Sequence, residues 1–314
     1  MTGYLTDNQG KTYGLPTLLG WEVIHGLGQP CDSFSVEFLY TREMLPVLKR
    51  AVGFTAYHDG EQVFQGVVDE YTVTCDVRGS IAKVEGRSLG ALLMDNEAES
   101  GEYCNVGLDY ILQRHVTPWG ITAVETAQVP KLARFTVSSG QSQWSVLREF
   151  LQFTGELEPR FDVSGKLLID GKTGGRTYTV GRYTPVSSVE FREDRYGVIS
   201  EVLVKKDRVG SSTVSNDKFL ARGGKCRRVV NVPRYLSYDA MRYTGEYQIR
   251  QSQKDSVVCV ITLPELFAAF AGDTVALDDT AIGLTGKFRV SQSRCWAEAG
   301  RFGTELTLAV WEEW

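Results

Sequence analysis

Alternating polar and apolar residues dominate the first part of the chain and predict short antiparallel β-strands. Residues 33–38 read Ser-Phe-Ser-Val-Glu-Phe, the period-two pattern of a strand with one buried face. Two further β-type runs, at 52–57 and 63–68, flank Asp59-Gly60, and Asp-Gly between such runs predicts a hairpin turn. Gly66 lies inside the second run, where a glycine predicts a bulge or a sharp bend.

The pattern becomes helical at Leu89, Leu92 and Leu93, which are spaced to lie on one side of a helix. A short helix is also expected over residues 42–50, with the preceding Thr41 as its N-cap. Residues 1–95 are therefore predicted to form a compact antiparallel β-barrel closed by one helix.

Residues 96–172 differ in composition and predict a small α/β domain. Helical spacing runs through residues 107–115, and Ser142 is a suitable N-cap for a second helix over residues 143–154. Residues 163–169 then have a strand–turn–strand pattern. Helix, strand, helix and hairpin together make a module of reasonable domain size.

Segments of β type return over residues 173–314 and predict a second β-barrel domain. A loop and helix excursion is expected at about 208–255, with a polar loop at 208–216 and a helix at 238–253. The predicted fold class is mainly β with α+β character. It consists of two small antiparallel β-barrels separated by an α/β insert domain.

Composition and charge narrow the classes of function. The net charge of −5, from 39 acidic and 34 basic residues, does not suggest stable nucleic-acid binding, and the basic clusters at Lys205-Lys206 and 225–228 are interpreted as solvated loops. No apolar run approaches the roughly 20 residues that cross a bilayer, so no membrane insertion is expected. The N-terminal residues lack the pattern of a secretory signal. The six cysteines show no paired spacing, which favours reduced thiols in a protein made in a cytoplasm.

Few residues suited to acid–base catalysis or metal binding are present. The chain has three histidines, His25, His58 and His115. The first two are interpreted as turn residues, and the third ends a helix, where an imidazolium would complement the helix dipole. No sequence motif of a metalloprotease, a serine hydrolase or a calcium loop occurs. We therefore predict no catalytic, cofactor-binding or metal-binding residues.

Weaker candidates for chemistry are the neighbouring acids Glu156 with Glu158 and Asp278 with Asp279, which are the residue types that a glycosidase uses. A solvated role for these acids is the favoured interpretation. The segment 171–173, Gly-Lys-Thr, resembles the end of a phosphate loop, but Lys166 stands where that loop needs a glycine. We interpret it as a linker.

Two tryptophans, Trp311 and Trp314, lie at the C-terminal end of the sequence. Terminal residues are usually polar and poorly ordered, so these two side chains are expected either to pack on the second barrel or to dock a partner. Packing is the favoured alternative.

Motifs in a fixed order along the chain resemble those of a known family. Residues 63–70 read Val-Phe-Gln-Gly-Val-Val-Asp-Glu, and residues 84–93 read Val-Glu-Gly-Arg-Ser-Leu-Gly-Ala-Leu-Leu. A helix at 142–153, a hairpin at 159–169 and the Gly-Asp-Thr-Val-Ala-Leu step within 271–277 follow. Together they resemble the central hub proteins of contractile-tail baseplates. That family includes the late-control D-type and Mu-like hubs of phages, with counterparts in defective prophages and R-type bacteriocins.

This resemblance implies a structural homotrimer that is not an enzyme. Two tail-tube-like barrels per chain would form a pseudo-sixfold ring that joins a sixfold tail tube above to a threefold spike below. The expected partners are further copies of the chain, the tube protein or a tube initiator, a trimeric spike protein and baseplate wedge proteins, with no cofactor. Such a protein is made in the bacterial cytoplasm and assembled into the baseplate of a virion or tail-like particle.

Two other functions remain open from the residues alone. A carbohydrate- or cell-wall-binding β module is favoured by the aromatic content of 11%. A glycosidase using the neighbouring acids named above is the weaker alternative.

Overall fold

A computed structural model describes residues 1–77, 79–155, 157–169, 175–206, 210–253, 256–278 and 283–310. The N-terminal region is built mainly of antiparallel strands with two short α-helices. These elements are β1 (Thr2–Asp7), β2 (Thr12–Gly14), β3 (Leu18–Gly26), β4 (Ser33–Leu39), α1 (Leu45–Leu48), β5 (Ala51–His58), β6 (Glu61–Asp76), β7 (Gly79–Ser88) and α2 (Ala91–Met94). The predicted helix over 42–50 is shorter, because residues 42–44 form a 3-10 turn before α1.

The hairpin between β5 and β6 is confirmed. Asp59 and Gly60 both have positive φ, 50° and 85°, as a tight turn between two strands requires. The predicted bulge at Gly66 is wrong, since pairing between β6 and β7 is continuous there and shifts register between Val68 and Glu70. Gly66 is needed for a different reason: a Cβ at this position would lie 2.1 Å from the carbonyl oxygen of Arg87 on the neighbouring strand.

The middle region combines helices with two small sheets, as predicted for a small α/β module. Its elements are β8 (Gly101–Val106), α3 (Leu108–His115), β9 (Val124–Thr126), β10 (Leu132–Val137), α4 (Gln143–Thr154), β11 (Arg160–Phe161) and β12 (Leu167–Ile169). The predicted cap of α4 is confirmed, because the hydroxyl of Ser142 accepts a hydrogen bond from the Ser145 amide at 3.2 Å. Trp144, Leu147 and Phe150 lie in the core of this region.

The C-terminal region returns to β structure. Its elements are β13 (Thr177–Val180), β14 (Ser188–Glu193), β15 (Glu201–Lys206), β16 (Gly210–Ser215), α5 (Asp217–Ala221), β17 (Arg227–Asn231), α6 (Tyr238–Gln253), β18 (Val257–Leu263), β19 (Thr274–Leu277), β20 (Gly286–Glu298) and β21 (Arg301–Val310). The predicted helix over 238–253 is confirmed by α6. The polar loop predicted at 208–216 is wrong for residues 210–215, which form β16 paired antiparallel with β15, while residues 208 and 209 lie outside the described part.

Strands from both β regions pair in one 13-stranded sheet, of order β14-β18-β21-β20-β3-β4-β7-β6-β5-β1-β2, with β13 and β19 joined at β20. The long strand β20 makes the connection. Its first part pairs with β19, and its second part pairs with β3 from Gln292 opposite Gly26 to Glu298 opposite Gly20. The mainly β fold is confirmed. The sheet is open over the described residues, so two separate barrels remain a prediction, as do the domain boundaries at 95 and 172.

Segment 198–253 is inserted between two neighbouring strands of the large sheet. The chain leaves at Glu193 and returns at Val257, and these two residues pair directly in β14 and β18. Within the segment, α6 packs on the sheet β16-β15-β17 around a small core that includes Val202, Val204 and Met241.

Candidate functional site

The three histidines lie on three different elements, and two of them are buried. His25, in β3, is hydrogen-bonded through Nδ1 to Asp32 at 3.1 Å and through Nε2 to the carbonyl oxygen of Val63 at 3.0 Å. The turn position predicted for His25 is wrong, because it lies inside the strand and is 5% exposed. His58 ends β5, next to Asp59 at the hairpin turn, as expected.

His115 ends helix α3 but is buried, with Nδ1 2.7 Å from the amide oxygen of Gln143. Burial lowers the pKa of His115, while the bond to Gln143 opposes this effect. The charged imidazolium predicted from the helix end is therefore disfavoured, and the side chain serves as a buried polar link between α3 and α4.

The structure describes only one acid of each pair considered for glycosidase chemistry. Glu158 accepts a hydrogen bond from Gln251 on α6, and Asp278 is exposed directly after β19. Their partners Glu156 and Asp279 lie outside the described residues. The same holds for the Gly-Lys-Thr segment at 171–173 and for Trp311 and Trp314. Trp144, interpreted as a core residue, is 5% exposed.

The two basic clusters lie at opposite ends of a pair of parallel strands in the inserted segment, because Arg227 is opposite Glu201 and Lys205 is opposite Asn231. Lys205 and Lys206 end β15, and Arg227 and Arg228 begin the neighbouring parallel strand β17. Arg227 pairs with Glu201 at 3.2 Å. The predicted loops are wrong for Lys205 and Lys206, which lie in β15, and for residues 227–228, which are exposed residues of the edge strand β17.

No group of three metal-ligating side chains is found within the described ranges, and no helix among them is both long and apolar enough to cross a membrane. All six cysteines are free thiols.

Arg87 of β7 binds two carboxylates on the outer face of the large sheet, which is the face opposite the apolar core. Its guanidinium binds Asp69 through two hydrogen bonds of 2.7 and 2.9 Å, and Asp95 through two of 3.0 and 2.7 Å. These carboxylates raise the pKa of Arg87, while Arg87 lowers the pKa of Asp95. Arg87 thereby ties β6, β7 and the end of α2 together.

The same outer face is mainly acidic beside Arg87. A cavity of about 360 Å³ is lined by four acids, two serines, a phenylalanine and a glycine: Glu22, Ser33, Phe34, Ser35, Asp69, Glu70, Glu85 and Gly86. Glu70 and Glu85 are directly opposite each other in the β6–β7 pair. Like charges in this arrangement repel, and Lys83, 2.9 Å from Glu85, offsets part of the repulsion.

Among the described residues, the large sheet has open edges at β14, at the outer half of β6, and at the shorter strands β13 and β2. Strand β14 pairs with β18 on one side only, among the described residues. Strand β6 pairs with β5 from Glu61 to Val67, so its outer half, residues 70–76, is paired only with β7 in the described part of the chain. We call residues 70–76 distal β6. Unpaired backbone N–H and C=O groups at such edges are able to pair with another strand.

The chain has the fold of phage and prophage tail proteins, although no protein-family model and no curated protein sequence matches it. The 43 kDa tail protein of prophage MuSo2 from Shewanella oneidensis is similar with a TM-score of 0.80 and 18% identity, covering 98% of both chains. The tail protein from Neisseria meningitidis MC58 gives a TM-score of 0.79 and 17% identity, covering 98% of this chain and 95% of that one.

A more distant likeness links the fold to a secretion apparatus. An Escherichia coli component of the type VI secretion system, described as structurally similar to the bacteriophage T4 tail proteins gp27 and gp5, gives a TM-score of 0.59 and 11% identity. The match covers 94% of this chain and 74% of that one. The predicted resemblance to tail hub proteins is thus confirmed at the level of the fold.

Proposed function

We propose that this protein is a structural hub in the baseplate of a contractile tail or tail-like particle. The observation that carries the proposal is the agreement in fold over 98% of this chain with tail proteins of almost the same extent. The proposed role is mechanical, and it consists of holding other tail proteins in position.

In this role three copies form a ring that connects the tail tube to the spike. The two β regions of each copy contribute the repeating units, so that a trimer presents six similar units to a sixfold tube and three identical surfaces to a threefold spike. The partners are therefore copies of the chain itself, the tube protein or a tube initiator, a trimeric spike protein and wedge proteins. Assembly places the protein in a virion or tail-like particle.

The large sheet supports this role because strands from both ends of the chain are joined in it through β3 and β20. A ring that transmits load between a tube and a spike needs its two β regions held at a fixed angle. Hydrogen bonds between adjacent strands provide that rigidity more directly than a flexible linker between two domains.

The mass of the protein in solution tests the proposal. Light scattering of the purified chain, alone and after co-expression with a candidate trimeric spike protein, is expected to give three times the monomer mass of 34.9 kDa in at least one case. Negative-stain images of that species should show threefold rings. A strict monomer under both conditions contradicts the proposed function.

A further inference from the structure

We propose that the copies in the ring are joined strand to strand, with β14 of one copy pairing with distal β6 of the next. The proposal rests on the proposed function, since it names the surfaces through which the hub assembles. The partner is a second copy of this chain, and the contact extends the large sheet from one copy into the other.

The two edges have matched lengths and lie at opposite ends of one sheet. Strand β14 spans Ser188–Glu193, six residues, and distal β6 spans residues 70–76. The strands between them, β18-β21-β20-β3-β4-β7, are all paired on both sides. A contact between two different edges is heterologous, and such contacts generate closed rings when the rotation between copies closes.

The alternation of side chains is compatible on the two edges. On β14, Val189 and Phe191 lie on the core side, opposite Ile261 and Cys259 of β18. Phe191 nevertheless remains 46% exposed, because no strand of the described residues pairs with the free edge of β14.

On distal β6, Tyr71 and Val73 lie on the core side and are only partly buried. Pairing the two edges places these apolar side chains next to Phe191. It therefore continues the apolar face of the sheet across the contact, as adjacent strands of one sheet require.

On the outer face β14 carries Glu190 and Arg192, and the arginine is suited to pair with an acid of distal β6. Arg192 points to the outer side, opposite Val258, and makes no ion pair within the part of the chain that the structure describes. Glu70 of distal β6 is directly opposite Glu85, an unfavourable arrangement within one copy. Arg192 of a neighbouring copy beside Glu70 would reduce that repulsion.

Both edges also lack two of the devices that commonly prevent pairing, proline and lysine. Distal β6 reads Glu-Tyr-Thr-Val-Thr-Cys-Asp and β14 reads Ser-Val-Glu-Phe-Arg-Glu, without proline or lysine in either strand. The other open edges among the described residues are shorter, since β2 has three residues and β13 has four. Short strands are one way in which proteins blunt an edge.

A natural cysteine allows a direct test by disulfide cross-linking. Cys75 lies on the core side of distal β6 and is exposed. In a Cys104→Ser background, which removes the other exposed thiol, single cysteines are introduced at Val189, Phe191 and Glu193, all on the core side of β14. Mild oxidation is expected to link copies covalently for at least one of the three, giving dimer and trimer bands on non-reducing gels.

Two controls define this result. Replacing Cys75 with serine in the same variants should remove the bands, because the link requires one thiol from each edge. Cysteines at Glu190 and Arg192, on the outer side of β14, should link far less. Bands that persist without Cys75 mean that β14 pairs with itself, and that outcome overturns the proposal.

A substitution at the edge gives a second, independent measurement. Phe191→Asp is expected to weaken self-association by at least about tenfold, because it places a charge in the apolar part of the contact. Phe302→Asp is the matched control, since Phe302 is a similarly exposed phenylalanine (53%) in the β20–β21 hairpin, away from both edges. It should leave association unchanged.

The outcomes separate the inference from the proposed function. A wild-type chain that stays monomeric alone and with the spike protein contradicts the hub function itself. A wild-type trimer that shows no cross-link at any of the three positions, and whose mass is insensitive to Phe191→Asp, leaves the hub function standing and overturns the pairing of β14 with distal β6.

Discussion

Gly66 offers a stringent test of how closely strands β6 and β7 approach each other. A Cβ added at Gly66 would lie 2.1 Å from the carbonyl oxygen of Arg87, 2.8 Å from its carbonyl carbon and 2.8 Å from a ring atom of Phe64. The phenyl ring is able to shift, but the backbone of β7 is held by pairing with β4 on its other side. Gly66→Ala must therefore push the two central strands apart.

The expected loss in the free energy of unfolding is about 2 kcal/mol. Overpacking in a well-packed interior typically costs about 1–3 kcal/mol, and a clash with paired backbone belongs at the upper end of that range. Alanine in a strand recovers roughly 0.5–1 kcal/mol of backbone entropy, which offsets part of the strain. Gly53→Ala is the matched control, because Gly53 lies in the neighbouring strand β5 with its nearest contact at 3.6 Å. It should leave the free energy of unfolding unchanged or raise it by up to about 1 kcal/mol, because no strain offsets the gain in backbone entropy.

Equilibrium unfolding in urea, followed by far-ultraviolet circular dichroism, measures both variants against the wild type. Gly66→Ala should shift the transition of the large sheet to lower urea, with unchanged signal before the transition. A Gly66→Ala protein within 1 kcal/mol of the wild type would refute the argument from backbone contact. An equal loss in Gly53→Ala would show instead that any added methyl in this sheet is harmful.

Three further predictions concern other regions. Ser142→Ala removes the cap of α4 and should lower the free energy of unfolding by about 1 kcal/mol in urea titrations, with Ser142→Asp largely restoring it. His115→Gln should flatten the pH dependence of stability: burial lowers the pKa of His115 in the folded state, so the unfolded chain takes up the proton first and stability is lost as the pH falls through the ordinary value of 6.5. Unfolding curves at pH 7.5 and 5.5 measure this difference. Arg87→Lys loses the bidentate hydrogen bonds with Asp69 and Asp95. Because these groups are partly exposed, the free energy of unfolding should fall by only about 1 kcal/mol in urea titrations, and by less in 1 M NaCl.

The sequence predicted the elements that are determined by residues close together in the chain, such as helix caps and tight turns. Helix α4 begins after Ser142 as the capping rule requires, and Asp59-Gly60 makes the expected turn. Strand β16 was missed because its residues, Gly-Ser-Ser-Thr-Val-Ser, are mostly polar. The segment is a strand because it pairs with β15, and this pairing has no signal in the local sequence. The joining of β3 to β20 has no local signal at all, since the paired residues are separated by almost the whole chain.

The residues of the candidate site also fall into two groups, those that sequence motifs indicated and those that only the fold brings together. Gly66 and Arg87 were both inside the motifs that suggested a tail hub, and the structure gives each a physical reason. The contact between His25 and Asp32 was missed, because no periodicity connects the two residues and only the return of the chain from β3 to β4 brings them together. The open edges are also a property of the whole sheet order, which cannot be obtained from spacing along the sequence.

Glycines and open edges together explain how one sheet can serve as a building unit without any catalytic group. A Cβ at Gly86 would lie 2.0 Å from the carbonyl oxygen of Val67, so both glycines allow β6 and β7 to approach more closely than side chains would permit. Beyond this tight contact β6 continues past the end of β5, and its outer half is left with a free edge. A monomer would gain little from extending a strand in this way, since an unprotected edge favours aggregation. A ring that pairs the edge with β14 of the next copy turns the same feature into a specific contact, and this makes assembly the function that best accounts for the length of β6.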